Sequence, residues 1–164
     1  MTRIQLVKYD WDMMHVFEKL QLKDHSVIVV LDAPASFEPE IDALDNVRVH
    51  RAVPRAAVSF ALAFVTTQAN VDAHAKALAK RAEGDAAIWF AYPKGSSKRY
   101  KSDLKRDNSW QVLGDLGFEP VRMVAIDEDW SALRFRRAEF IKTMKRDASH
   151  ALSKAGKARA KKRQ

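Results

Sequence analysis

Three apolar runs constrain the fold of this chain more than any other feature. They occupy residues 27–31, 58–65 and 86–92, with Ser59 as the one polar residue in them, and polar and apolar side chains do not alternate along them. Continuous hydrophobicity of this length is typical of strands buried on both faces, as in a parallel sheet. The length of the second run, VSFALAFV, leaves a helix open as well, but Thr66 and Thr67 at its end favour a strand.

One helix is expected before the apolar run at 86–92 and another after it. Asn70 opens a segment rich in Ala and Lys, and Gly84 is expected to close it as a C-cap. Downstream, Ser102 or Asp103 is expected to cap a second helix that runs to about Leu116. The chain therefore alternates strands with helices along this stretch.

A hairpin follows the second helix. Strands are expected at 121–126 and 132–135, joined by an acidic turn at 127–131. With the upstream elements, this order predicts an α/β protein with three layers. A mostly parallel sheet lies between helices and is closed by the C-terminal antiparallel hairpin.

The net charge of the chain is concentrated at its C-terminal end. Residues 142–164 contain nine Lys or Arg and one Asp, which gives +8, whereas the other 141 residues contain 20 of each sign. The sequence therefore predicts a neutral α/β domain over 1–137 and a basic extension over 138–164. Apolar residues at helical spacing predict an amphipathic helix over 138–155, and 157–164 is expected to be a disordered cationic end.

Two interpretations of this extension stay open. Its cations could contact the phosphates of nucleic acid or of a ribosome without reading sequence, or they could only keep the chain soluble. An anionic membrane surface is a further alternative, which we rank lower because the apolar face is expected to dock on the domain. The candidate nucleic-acid contacts are Lys154, Lys157, Arg159, Lys161, Lys162 and Arg163.

The composition argues against several classes of function. The chain has no Cys, so thiolate catalysis, disulfides and sulfur-ligated zinc are excluded. It contains no GxSxG, HExxH or Walker motif, and no residue is assigned a catalytic or metal-binding role. No cofactor is expected. Neither a signal peptide nor a membrane-spanning run is visible, which predicts a soluble cytoplasmic protein.

Polar side chains cluster where the predicted parallel strands end. Ligands of open α/β sheets bind at this edge, so these residues form a candidate ligand-binding rim. Alternatively, Lys94 could form an ion-pair lock with the carboxylates of Asp32 or of the acidic turn, or these residues could belong to ordinary polar turns. We favour this structural interpretation over a ligand site. Likewise, Lys94–Lys98 could form an anion-binding nest, although a solvated loop is favoured. The rim residues are Asp32, Pro34, Lys94, Ser96, Ser97, Asp127, Asp129 and Trp130.

Two stretches resemble an uncharacterised bacterial family of unknown function. They are AIWFAYPKGSSKRYKSDLKRD and LGDLGFEPVRMVAIDEDWSALRF, and an upstream strand ending VIVVLDAP is also similar. The resemblance covers about residues 12–137. It implies a domain with the loop after Pro93 and the hairpin around Trp130, and it implies nothing about the extension.

The order of elements also resembles Rossmann-like methyltransferases that use S-adenosylmethionine. In those enzymes the first strand leads into a glycine-rich loop, and the second ends in an acid that binds the cofactor ribose. Here the first strand leads into Asp32-Ala33-Pro34 with no Gly. The second strand is expected at the short, less apolar segment 47–50, and no acid follows it within residues 51–53. The resemblance therefore implies a Rossmann-like fold and not the activity.

The sequence favours a non-enzymatic α/β binding or interaction domain with a cationic tail over an enzyme. One alternative is nonspecific association with nucleic acid or the ribosome through the tail. Another is a divergent methyltransferase-like enzyme acting on a small molecule. A protein partner is also compatible with the sequence, which does not predict an oligomeric state.

Overall fold

A computed structural model describes residues 15–104 and 108–141. Six strands form one sheet: β1 (Val27–Leu31), β2 (Arg48–His50), β3 (Val58–Phe64), β4 (Ala82–Pro93), β5 (Phe118–Ala125) and β6 (Trp130–Arg137). The α-helices are α1 (Val16–Lys19), α2 (Glu38–Asp42), α3 (Gln68–Arg81) and α4 (Gln111–Asp115). Short 3-10 helices lie at Ala35–Phe37 and Ala138–Phe140.

The strands lie in the order β2-β1-β3-β4-β6-β5. β1 pairs in parallel with β2 and β3, and β3 pairs in parallel with β4. β6 runs antiparallel to both of its neighbours, so β5 again points along β1–β4. The predicted fold is confirmed: the sheet is mostly parallel and ends in a C-terminal antiparallel hairpin.

Both faces of the sheet are buried, which explains the apolar runs. On one face, the side chains of α1 and of the segment after β1 pack on Ile28, Val30 and Phe64. On the other face, α3 and α4 pack on Val29, Phe90 and neighbouring side chains. Parallel strands covered on both faces need no polar alternation, and this arrangement gives the predicted three layers.

The helix predicted from Ser102 or Asp103 to Leu116 is wrong in its first half. Residues 101–104 are not helical, 105–107 lie outside the described part, and α4 begins only at Gln111. The Asp103 carboxylate accepts a hydrogen bond from the Gln68 amide at 2.8 Å, and the Asp103 amide donates to the Thr66 carbonyl. Asp103 therefore caps the start of α3 rather than a helix of its own.

The C-terminal ends of α3 and α4 each have a glycine nearby, but in different positions. α3 ends at Arg81, and Gly84, with φ +59°, lies within β4 rather than closing the helix. Gly117 does follow α4, with φ +93°, a conformation that side chains rarely adopt. The Arg137 guanidinium donates to the carbonyls of Ala79 and Ala82 and so caps the end of α3.

The basic extension falls almost entirely outside the described residues. Only its start is seen, where Ala138–Phe140 form a 3-10 turn and the side chains of Ala138 and Ile141 are buried. The predicted amphipathic helix is wrong at its start, because Ile141 has extended backbone after the 3-10 turn. The rest of that helix and the six candidate tail cations lie outside the described residues, and they stay predictions, as does the domain boundary at 137. Within the two described stretches, no helix combines the length and the apolar character needed to cross a bilayer.

Candidate functional site

Four chain segments meet at one edge of the sheet. β1, β3, β4 and β5 run in the same direction, so their carboxyl ends lie together. The predicted rim residues follow β1 and β4 or lie in the turn between β5 and β6, except Trp130, which is the first residue of β6. Side chains from distant parts of the sequence therefore share this edge, where ligands of open α/β sheets bind.

The acidic turn and the loop after β4 form one hydrogen-bonded unit. The Asp127 Oδ1 atom accepts from the amides of Asp129 and Trp130, at 2.8 and 2.9 Å. The Asp129 carbonyl accepts from the Lys94 amide, and its Oδ1 accepts from the Ser97 hydroxyl at 2.9 Å. Asp127 and Asp129 thus act as turn-forming groups that hold the β4 loop.

Other rim residues have separate surroundings. Asp32 lies two strands away from β4, has φ +55°, and its Oδ2 lies 2.7 Å from Nε2 of His74 on α3. The Pro34 carbonyl accepts from the Phe37 amide and starts the 3-10 turn. Ser96 is exposed. In the described part of the chain, the Lys94 ammonium forms no ion pair, so the proposed lock between Lys94 and these carboxylates is not formed.

Aromatic side chains fill the space beyond β1 and β3. The Phe37 ring lies 4.9 Å from the ring of Phe64, the last residue of β3, and Phe64 lies 5.1 Å from Trp130. All three side chains are at most 3% exposed. Tyr100 extends the cluster, with its ring 4.8 Å from Trp130. This part of the edge is therefore packed core rather than an open site.

An ion pair between two partly exposed side chains lies beside the carboxyl end of β2. The Arg51 guanidinium donates two hydrogen bonds to the Glu38 carboxylate, at 2.8 and 2.7 Å. These bonds lower the pKa of Glu38 below its usual value. Glu38 belongs to α2, so this contact ties α2 to the segment after β2 and engages both carboxylate oxygens.

An open cleft lies at the carboxyl end of β4, and we call it the β4 cleft. Its volume is about 770 Å³, within the range of about 300–1,000 Å³ usual for ligand sites. Lys94 and Ser97 are the rim residues that line it. The other lining residues are Tyr92, Pro93, Gly95, Tyr100, Lys101, Ser102, Leu104, Ser109, Trp110 and Ser131.

A second groove adjoins the β4 cleft and shares Ser109 with it. This acidic groove, of about 660 Å³, lies between α3 and α4. Its charged lining residues are Asp72, Asp103, Asp115 and Lys76. Neither in this groove nor in the rest of the described part of the chain are three or more His, Asp or Glu side chains arranged to hold a metal ion.

Sequence reasoning missed most of the residues that line the β4 cleft. Tyr100 and Lys101 were assigned no role, and Ser102 was predicted only as a possible helix cap. Trp110 precedes α4, and its ring lies 5.5 Å from that of Tyr92. Residues before and after the loop converge only in the folded chain, so no local motif identifies them.

The fold is that of Rossmann-like methyltransferases that use S-adenosylmethionine. A methyltransferase of this class from Aquifex aeolicus superposes with a TM-score of 0.55 at 14% identity, over 77% of this chain and 89% of that one. The N-methyltransferase NodS from Bradyrhizobium japonicum WM9 gives 0.50 at 9% identity, over 79% and 97%. No family model and no curated protein matches the sequence.

The residues at the ends of β1 and β2 do not fit S-adenosylmethionine as those enzymes hold it. The loop after β1 contains Pro34 where the backbone would need glycine, and Phe37 occupies the space beyond it. At the end of β2, both oxygens of the nearby Glu38 are bonded to Arg51. We therefore derive no methyl-transfer step for this chain.

Proposed function

We propose that this protein is a non-enzymatic binding domain built on the methyltransferase fold, and that it takes a small ligand in the β4 cleft. The observation that carries the proposal is the contrast along one edge of the sheet. The ends of β1 and β2 are packed with buried aromatic rings and an ion pair, whereas the end of β4 is open.

The lining of the β4 cleft supports binding rather than catalysis. Among the lining residues within 15–104 and 108–141, there is no carboxylate and no imidazole, which are the usual general acids and bases. Ser97 donates its hydroxyl proton to Asp129, and this bond, with the one from the Lys94 amide to the Asp129 carbonyl, holds the loop after β4 against the acidic turn. A site with these groups can hold and orient a ligand.

A thermal-shift screen of metabolites tests the β4 cleft. A ligand at about 100 times its Kd adds about 2.7 kcal/mol to stability, which raises Tm by about 5–10 °C. We expect such a ligand to lose its effect in Ser102→Phe, because Ser102 is exposed and lines the cleft. Ser96→Phe is the matched control, since Ser96 is exposed on the same loop outside the lining. Equal shifts in both variants would locate the ligand elsewhere.

The alternative function is that of a divergent methyltransferase, and the fold likeness supports it. The solved structures that superpose on this chain include several methyltransferases. This likeness favours the methyltransferase alternative over an interaction domain. At 9–14% identity the likeness concerns the fold. The side chains at the ends of β1 and β2 favour the binding domain, and a titration can decide between the two.

We expect calorimetry to detect no saturable binding of S-adenosylmethionine at micromolar concentrations. Phe37 is 3% exposed and contacts Phe64, so the cofactor would have to displace core side chains. Saturable binding that persists in Ser102→Phe would support the methyltransferase alternative at the end of β1. Binding that Ser102→Phe abolishes would identify S-adenosylmethionine as a ligand of the β4 cleft.

The third candidate function is association with nucleic acid through the cationic extension. The +8 charge of residues 142–164 favours it, because charge clustered on one short segment can meet several phosphates at once. This function and a ligand in the β4 cleft are compatible, since they use different parts of the chain.

A further inference from the structure

We infer that the ligand of the β4 cleft is a small planar ring that carries a phosphate or a carboxylate. The inference rests on the proposed function, because it names the chemistry of that same site. Three independent features of the lining support it: its charge, its hydroxyl groups and its aromatic walls.

The charge of the lining is positive. Lys94 and Lys101 contribute two ammonium groups, and of the twelve lining residues that lie in the described part of the chain, none is acidic. Neither lysine forms an ion pair with any residue in 15–104 or 108–141. Lys94 is also half-buried, so its charge acts in a less aqueous surrounding than that of an exposed lysine. An anion is the ligand that satisfies both groups.

Hydroxyl groups beside the lysines can complete the coordination of an anion. The Ser102 hydroxyl accepts a hydrogen bond from the Leu104 amide at 3.0 Å, which leaves its own proton free to donate. Ser131 lines the same cleft at the start of β6. Phosphate and carboxylate oxygens accept hydrogen bonds of this kind, and charged acceptors strengthen them.

Two aromatic side chains provide walls for a planar ring. Trp110 packs on the core of one sheet face, where its ring lies 5.8 Å from Phe90 and 5.6 Å from Phe135. Tyr100 packs on the core of the other face, against Trp130. Each wall is held from behind by buried rings, so little ordering cost accompanies stacking on it.

The acidic groove next to the β4 cleft carries the opposite charge and lacks aromatic walls. Its lining has three Asp and one Lys, and it contributes no Trp or Tyr side chain. The two sites share the buried Ser109, so the change in charge occurs across a single residue. An anion is therefore attracted to the β4 cleft and repelled from its neighbour.

Matched pairs of probes test the inference by calorimetry on the full chain. AMP and nicotinate carry a ring and an anion, whereas adenosine and nicotinamide carry the same rings without the charge. We expect at least one anionic probe to bind about ten-fold or more tightly than its neutral counterpart, because charged hydrogen bonds are lost in the latter. Inorganic phosphate alone is expected to bind more weakly than AMP, since it cannot stack.

Three variants test whether the lysines of the β4 cleft are responsible for the preference for anionic probes. Lys94→Gln and Lys101→Gln are each expected to weaken the anionic probe by about ten-fold and to leave its neutral counterpart unchanged. Lys98→Gln is the control, since Lys98 is an exposed cation of the same loop outside the lining. An equal loss in Lys98→Gln would reduce the effect to general loop charge and overturn the inference.

The remaining outcomes separate the inference from the proposed function. Suppose that the anionic and the neutral probe of each pair bind equally tightly, and that Ser102→Phe abolishes this binding. The inference is then wrong, and the β4 cleft remains a site for an uncharged ligand. Binding of AMP that survives Ser102→Phe would overturn both. If no probe binds below about 1 mM, the inference is wrong, and the metabolite screen alone decides the proposed function.

Discussion

Replacing Phe64 with alanine is expected to lower the free energy of unfolding by about 3–5 kcal/mol. Phe64 is 2% exposed at the end of β3, and its ring lies between those of Phe37 and Trp130. The substitution removes both contacts and leaves a cavity that two aromatic neighbours and a central strand can fill only in part. For a domain whose total stability is about 5–15 kcal/mol, this is a severe loss.

Urea unfolding monitored by tryptophan fluorescence measures this loss. The midpoint should fall while the slope of the transition stays the same, because the surface exposed on unfolding changes little. Phe140→Ala is the control: its side chain is 37% exposed, and the hydrogen bond it accepts from Arg136 uses the carbonyl. We expect that control to change stability by no more than about 0.5 kcal/mol. Similar losses in both variants would contradict a packed aromatic cluster at the end of β3.

The layers of this fold could be predicted because strand burial leaves a local signal. VIVVL is apolar at every position, four of its five residues are buried on the two covered faces of β1, and the predicted strand matches Val27–Leu31. The hairpin was recognisable because the acidic residues Asp127 and Asp129 lie between the two predicted strands, where the structure has the turn from β5 to β6. Sheet order follows from right-handed crossovers and short connections, which need little information beyond the order of elements.

The failures concern residues whose partners are distant in sequence. Asp103 has the chemistry of an N-cap, and it does cap a helix, but the amide that it bonds belongs to Gln68, 35 positions earlier. Nothing local distinguishes that partner from the predicted one. Phe37 is likewise an ordinary apolar residue in the sequence. Its effect on the site depends on Phe64 and Trp130, which only the sheet brings beside it.

In the candidate site, too, only the residues with a local sequence signal could be predicted. Lys94 and Ser97 were identified because they follow a strand, and strand ends are a general feature of α/β sites. Lys101 and Trp110 line the same cleft without following any strand end. A loop that folds back over the sheet carries them there, and loop paths depend on tertiary contacts such as the hydrogen bond from Ser97 to Asp129.

Removing the cationic extension is expected to abolish salt-dependent binding to generic RNA and DNA. For the full chain, contact with about six phosphates predicts a loss of about 10³-fold in affinity between 50 and 200 mM salt. The cut belongs after Ile141 rather than after Arg137, because Ala138 and Ile141 are buried and Arg136 bonds the Phe140 carbonyl. The shortened chain has a net charge of zero, so it should show neither the affinity nor the slope.

A second variant separates charge from length in this experiment. Changing Lys154, Lys157, Arg159, Lys161, Lys162 and Arg163 to Gln keeps the extension and removes six of its nine cations. Each phosphate contact contributes about 0.9 to the slope of log K against log salt, so the slope should fall by up to about five. If the shortened chain keeps the affinity and slope of the full one, the contacts lie on the domain. The exposed Lys98, Arg99 and Lys101 of the β4 loop are then the cations to test next.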